Sequence, residues 1–162
     1  MKNSRTDWGD VAEKYNEYLA SDKNYHAEII IPNILRLIDD IKGKNILDIA
    51  CGQGILSQIL SDNGANVSGF DAGEELIKIA KNNDKKNKIN YSINNAEDFA
   101  KSYFDIKNKI YQQFDIIICV LAIQNIENVK KVLESIRLVS NKNTKIYFII
   151  NHPSFRIPRS SS

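Results

Sequence analysis

Residues 45–56 read Asn45-Ile46-Leu47-Asp48-Ile49-Ala50-Cys51-Gly52-Gln53-Gly54-Ile55-Leu56. An apolar run holding one acidic residue leads into Gly52-x-Gly54, and an apolar helical pattern follows. This is the signature of a strand that passes through a tight glycine turn into a helix. Glycine has no side chain to hold a ligand off, so such a turn offers bare backbone to whatever lies against it.

The pattern repeats outward from this loop. Apolar segments at 66–70, 89–93, 114–121 and 145–150 read as further strands. The segments at 55–63, 73–82, 96–109 and around Val129, Val132, Leu133 and Ile136 read as helices. The run at 114–121 is apolar throughout, as expected of a strand buried on both faces. Upstream, the spacing predicts a helix over 8–19 and another over 25–41. The second places Ile30, Ile34, Leu37 and Ile41 on one face, has Pro32 near its start and ends at Gly43. Alternation of strand and helix predicts a doubly wound, mostly parallel α/β sheet with right-handed crossovers. In such sheets ligands lie beyond the carboxyl ends of the strands.

The bulk numbers suit one domain. The chain has 162 residues, 43% of them hydrophobic and 26% charged, with a net charge of +2. That balance argues against a nucleic-acid partner or a charged membrane surface. No apolar run reaches the length of a membrane span, and the polar first twenty residues predict no signal peptide. Cys51 and Cys119 stand far apart without metal-ligand spacing, which predicts reduced thiols in a cytoplasmic protein.

Two nucleotide readings compete for the loop. A dinucleotide fold asks for a third glycine, and that position holds Ser57. Asp48, four residues before Gly52, favours the other reading. The segment from Leu47 to Gly54 resembles the first motif of class I S-adenosyl-L-methionine-dependent methyltransferases. Later strand ends support the resemblance. Asp71 closes the second strand, where a carboxylate can accept hydrogen bonds from both hydroxyls of a ribose. Asn95-Ala96-Glu97 follows the third strand, with Asn95 where the family usually has an acidic residue. Leu121-Ala122-Ile123-Gln124-Asn125 follows the fourth.

The resemblance implies a Rossmann-like sheet of about five strands in the order 3-2-1-4-5, preceded by N-terminal helices. Residues 1–162 would form one S-adenosyl-L-methionine-binding domain, with a helical lid region at 1–43, a core at 44–150 and a tail at 151–162. It further implies cofactor contacts at Asp48, Ala50, Cys51, Gly52, Gln53, Gly54, Asp71, Ala72, Asn95, Ala96, Glu97 and Leu121. No metal is implied. His152 and Gln124 are the candidates for catalytic or acceptor contacts. Tyr15, Tyr18, Tyr25 and His26 fall in the lid region.

Blander roles stand beside these. Asp48 could cap a turn, Asp71 could cap the next helix, and Asn95 could be a turn residue. Gln124 or Asn125 could cap the helix containing Val129. His152 could be a turn residue before Pro153, and the N-terminal aromatics could be packing residues.

The resemblance also carries a departure. The family sheet normally has seven strands, and this sequence stops shortly after the fifth. Its tail, Asn151-His152-Pro153-Ser154-Phe155-Arg156-Ile157-Pro158-Arg159, is similar to a mid-chain segment of some bacterial methyltransferases. The last strand is then expected at an open sheet edge, shielded by the tail or paired with a second copy of the chain. The expected activity is methyl transfer to a small-molecule acceptor. The Asn/Asp-Pro-Pro-aromatic signature of DNA amino-methyltransferases is absent after the fourth strand. A non-catalytic nucleotide-binding or oligomerising remnant is the main alternative, and a nicotinamide-dependent oxidoreductase is the third reading.

Overall fold

Apolar segments that alternate their side chains between two faces need cover on both sides, and the fold supplies it. A computed structural model describes residues 29–38 and 40–151. The sheet is built on β1 (Asn45–Ile49), flanked by β2 (Asn66–Asp71) and β6 (Phe114–Val120). β3 (Asn90–Ile93) and β7 (Ser140–Ile149) are the outer strands. The order is β3-β2-β1-β6-β7, and all four pairings are parallel. Both the class and the strand order match the sequence expectation, the fourth and fifth expected strands being β6 and β7.

Alternation sorts the core into two layers. Ile46, Ile116 and Ile118 pack with Ile31, Ile34, Leu56 and Leu60. These come from α1 (Ile31–Leu37) and α2 (Ile55–Asp62). On the other face, Leu47, Ile49, Ile117 and Cys119 pack with Phe99, Val132 and Ile136. These belong to a 3-10 turn (Phe99–Tyr103) and to α4 (Val129–Leu138). Between β2 and β3, α3 (Glu74–Asn83) buries Ile77 and Ala80 against Tyr91. Among the described residues no helix is long and apolar enough to cross a membrane.

Four local expectations change. The helix expected over 96–109 is only the short 3-10 turn, followed by a hairpin of β4 (Phe104–Asp105) and β5 (Ile110–Tyr111). Asp105 makes the difference. Its Oδ1 accepts the backbone N–H groups of Lys107 and Asn108, at 2.9 and 3.1 Å, and these bonds fold the chain back.

The described part of the 25–41 helix ends at Leu37, and Ile38 is already extended. Its buried set is therefore Ile30, Ile31, Ile34 and Ile38, while Leu37 is 59% exposed. Pro32 sits in the first turn, where a missing N–H breaks no helical bond. Gly43 does not end the helix. It takes a left-handed turn at φ 73° and donates its N–H to the Gly64 carbonyl at 2.8 Å.

In α4 the buried residues are Val132, Ser135 and Ile136, while Leu133 is exposed. Ser135 lies inward because its hydroxyl donates to the Glu97 carbonyl at 3.0 Å.

β7 begins five residues earlier than the pattern suggested. Phe114 pairs with Ser140 but Ile116 with Lys145, so residues 141–144 bulge from the ladder. Thr144 closes the bulge by donating Oγ1 to the Phe114 carbonyl at 2.7 Å. Among the described residues no strand pairs with the outer edge of β7.

Candidate functional site at the carboxyl ends of β1 and β2

Parallel strands deliver their last residues to one edge of the sheet, and the chain leaves β1 there through an unusual turn. Ala50, Gly52 and Gly54 all have positive φ, at 56°, 56° and 76°. The two glycines serve different needs. A Cβ on Gly54 would run into the Tyr91 hydroxyl, whereas a Cβ on Gly52 would meet nothing within 4 Å. Gly54 is thus a packing requirement, and Gly52 presents open backbone. Ala50 carries a side chain in a conformation that costs an L-residue roughly 1–2 kcal/mol.

Two carboxylates bracket this turn. Asp71, at the end of β2, accepts the Gly52 N–H at 3.0 Å through Oδ2. Its Oδ1 accepts the Gly73 N–H at 2.8 Å. The carboxylate keeps acceptor capacity beyond these bonds for a ligand. Burial raises the Asp71 carboxyl above the usual range, and the bonds from Gly73 and Gly52 work against that rise. Asp48 lies deeper, 2% exposed. Its Oδ2 accepts a hydrogen bond from Ser57 Oγ at 2.6 Å. Burial lifts its carboxyl to about 7, the Ser57 bond opposes the shift, and the Asp71 charge adds to it.

A cavity of about 90 Å³ opens over the turn. Asp48, Ala50, Cys51, Gly52 and Gln53 line one wall, and Ile31 and Ile34 of α1 with the preceding Ile30 form another. An acidic floor, the uncovered Cα of Gly52 and a second carboxylate with acceptor capacity suit a ligand carrying a cation and neighbouring hydroxyls.

The remaining predicted residues are placed less uniformly. Ala72 follows the half-buried Asp71 and is itself exposed. Asn95 stands on the surface, with Oδ1 accepting the Glu97 N–H at 3.0 Å, and so serves its own turn. Ala96 packs into the core. Glu97 reaches away toward α4, where Oε1 accepts the Asn128 N–H at 3.3 Å. Leu121 has positive φ (51°) and donates its N–H to the Ile149 carbonyl at 2.8 Å. The Leu121 carbonyl accepts Gln124 Nε2 at 2.8 Å and Asn125 Nδ2 at 3.5 Å. The N-cap of α4 is Asn128, a role expected of Gln124 or Asn125. His152, Tyr15, Tyr18, Tyr25 and His26 lie outside the described residues.

Sequence reasoning missed Ser57 as a partner of Asp48, Tyr91 behind Gly54, and the three isoleucines over the cavity. Ser57 had a visible signal, since a hydroxyl replaced the expected glycine. Tyr91 looked like any strand aromatic.

Known proteins share this fold. Residues 40–158 match the model of a methyltransferase domain family. A ubiquinone biosynthesis O-methyltransferase of Coxiella burnetii is 29% identical over 131 residues, covering 79% of this chain and 53% of the relative. This chain therefore spans about half the length of that relative. Among solved structures, an S-adenosyl-L-methionine-dependent methyltransferase of Mesorhizobium loti superposes with a TM-score of 0.65 at 20% identity. The match covers 75% of this chain and 53% of the other. A TehB-like methyltransferase of Corynebacterium glutamicum gives 0.62 at 20% identity, covering 85% and 70%. At such identities the two superpositions establish the shared fold.

Proposed function

We propose, for a chain that belongs to the methyltransferase domain family, that its loop binds S-adenosyl-L-methionine and directs the cofactor's methyl group to an oxygen of a small-molecule acceptor. The single observation that carries this reading is the bracketing of the open Gly52 backbone by Asp48 and Asp71. When bound, the cofactor supplies an electrophilic methyl on a positively charged sulfur. The chain's own work is positioning, since an in-line displacement needs reactants held in line more than it needs a side-chain nucleophile.

In this reading Asp48 receives the ammonium of the methionine part, and Asp71 accepts from the ribose hydroxyls through its unused lone pairs. The backbone of Ala50 and Gly52 borders the ligand between them. The Leu121 turn, with Gln124 and Asn125 on its rim, faces the acceptor. The choice of oxygen as the atom methylated rests on the names of the relatives, which are O-methyltransferases of ubiquinone biosynthesis. An acceptor hydroxyl needs a base or an ionised form to react, and His152 is the proposed source of that base.

The test is transfer of label from methyl-labelled S-adenosyl-L-methionine to a panel of small hydroxylated aromatics. A labelled methyl ether supports the reading. Cofactor binding with no transfer to any oxygen, nitrogen or sulfur acceptor would reduce the chain to a binding module.

A further inference from the structure

Behind the glycine turn lies a buried group that the reading above leaves without a role. Tyr91 stands on β3, two strands away from the loop, and is 5% exposed. Its hydroxyl donates to the Gly54 carbonyl at 3.2 Å. The same carbonyl accepts the Gln58 N–H at 2.9 Å, the first helical bond of α2. The Tyr91 ring edge and the Ser57 hydroxyl both crowd Gly69, where a Cβ would sit 3.0 Å from Tyr91 Cε1 and 3.1 Å from Ser57 Oγ, and the Tyr91 phenol lies in hydrogen-bonding reach of Ser57. Ser57 in turn serves Asp48.

We propose that Tyr91 is a positioning residue for the ligand site: one phenol fixes the path of the Gly54 turn and, through Ser57, the orientation of the Asp48 carboxylate. The inference rests on the adenosyl-ligand reading, because Asp48 matters to binding only if the ligand brings a cation to it. Several features fit the role. Burial holds the phenol well above its ordinary range, so it stays a neutral donor. The groups whose charge reaches Asp48 or the phenol are Asp71 across the turn, Cys51 and Cys119, and Asp84 at the end of α3. Burial raises both thiols, which leaves them neutral. Asp84 is engaged locally, accepting the Ile89 N–H at 2.8 Å. Ser57 and Tyr91 are thus the neutral hydroxyls that set the surroundings of Asp48.

A tyrosine that only fills space beneath α3 is replaced by phenylalanine without consequence at Asp48. That difference sets the test. The 162-residue chain and its Tyr91→Phe variant are titrated with S-adenosylhomocysteine by calorimetry at several pH values between about 6 and 8, with thermal midpoints measured alongside. The proposal expects Y91F to keep the ring packing and the fold. Binding should weaken by about tenfold, the scale of one lost hydrogen bond. The pH at which affinity changes should also move relative to wild type.

Binding by Y91F that matches wild type at every pH overturns the proposal. So does a uniform loss with an unmoved pH profile. If Y91F does not fold, Ser57→Ala breaks the same link from the other side. An S57A variant with wild-type affinity and pH profile overturns it equally. A wild-type chain that does not bind the ligand removes the functional reading itself, and the inference with it.

Discussion

The Ser57 hydroxyl donates a 2.6 Å hydrogen bond to Asp48 Oδ2, at the position where a dinucleotide fold would carry its third glycine. This pair explains why the loop departs from that pattern. The space a glycine would leave is filled by a donor that the buried carboxylate needs.

Asp48 gives the loop a pH-dependent stability. In the folded chain its carboxyl is lifted to about 7, while in the unfolded chain it ionises near the ordinary aspartate value. The native state therefore holds this proton more tightly. The contribution is fully present below the unfolded pKa and is lost as pH rises through about 7. Asp48→Asn mimics the protonated form. We expect D48N to match wild type near pH 4 in urea unfolding and to exceed it near pH 8, by on the order of a few kcal/mol. Affinity for S-adenosylhomocysteine should fall in the same variant. Equal unfolding free energies at both pH values would contradict the assignment.

Asp71 has both a structural and a ligand role. Asp71→Ala strips the acceptors from the Gly52 and Gly73 N–H groups and should cost roughly 1–3 kcal/mol. Asp71→Asn keeps one acceptor and should lose less stability. Ligand affinity should drop at least tenfold in both variants. An N variant that binds like wild type would show that the carboxylate charge is not used.

Gly54 and Ala50 should respond unequally to exchange. Gly54→Ala places a methyl on the Tyr91 hydroxyl at a φ of 76° and should cost roughly 2–4 kcal/mol. Ala50→Gly relieves a left-handed alanine at φ 56° but loosens the unfolded chain, so its net effect should lie within about 1 kcal/mol of zero. Thermal unfolding of the two variants measures the contrast.

Among the described residues the outer edge of β7 has no paired strand, and we expect it to take up a second copy of this chain. Ile146 is 43% and Phe148 39% exposed on one face, while Tyr147 is tied inward by its bond to the Leu37 carbonyl at 3.3 Å. An edge of this apolarity, unpaired among the described residues, favours strand addition. Light scattering should find a concentration-dependent dimer that Ile146→Lys shifts toward monomer. A wild-type chain that stays monomeric at high concentration argues instead for shielding by the tail.

The legible parts of the sequence were those governed by period and by local chemistry. Two-sided burial made Phe114–Val120 readable as an inner strand. The acid–glycine spacing made the turn readable at Asp48–Gly54, and the strand end made Asp71 readable. What escaped depended on long-range fit. Asn95 accepts a bond within its own turn and Glu97 one from the N-cap of α4, partners that their motif positions did not announce. The hairpin after Tyr103 hangs on one Asp105 side chain, inside a stretch that reads as weakly helical. Tyr91 could not be linked to Gly54 across 37 residues without the sheet that joins them.

The central claim is that Asp48 and Asp71 bracket a site for an adenosyl ligand. Thermal shift with S-adenosylhomocysteine tests it most directly, with nicotinamide dinucleotide as the control, since a ligand that binds only the native state raises its midpoint. The expected result is a rise with the adenosyl ligand that grows with its concentration, is absent with the dinucleotide, and disappears in Asp71→Ala. No rise with the adenosyl ligand, or an equal rise in Asp71→Ala, would contradict it.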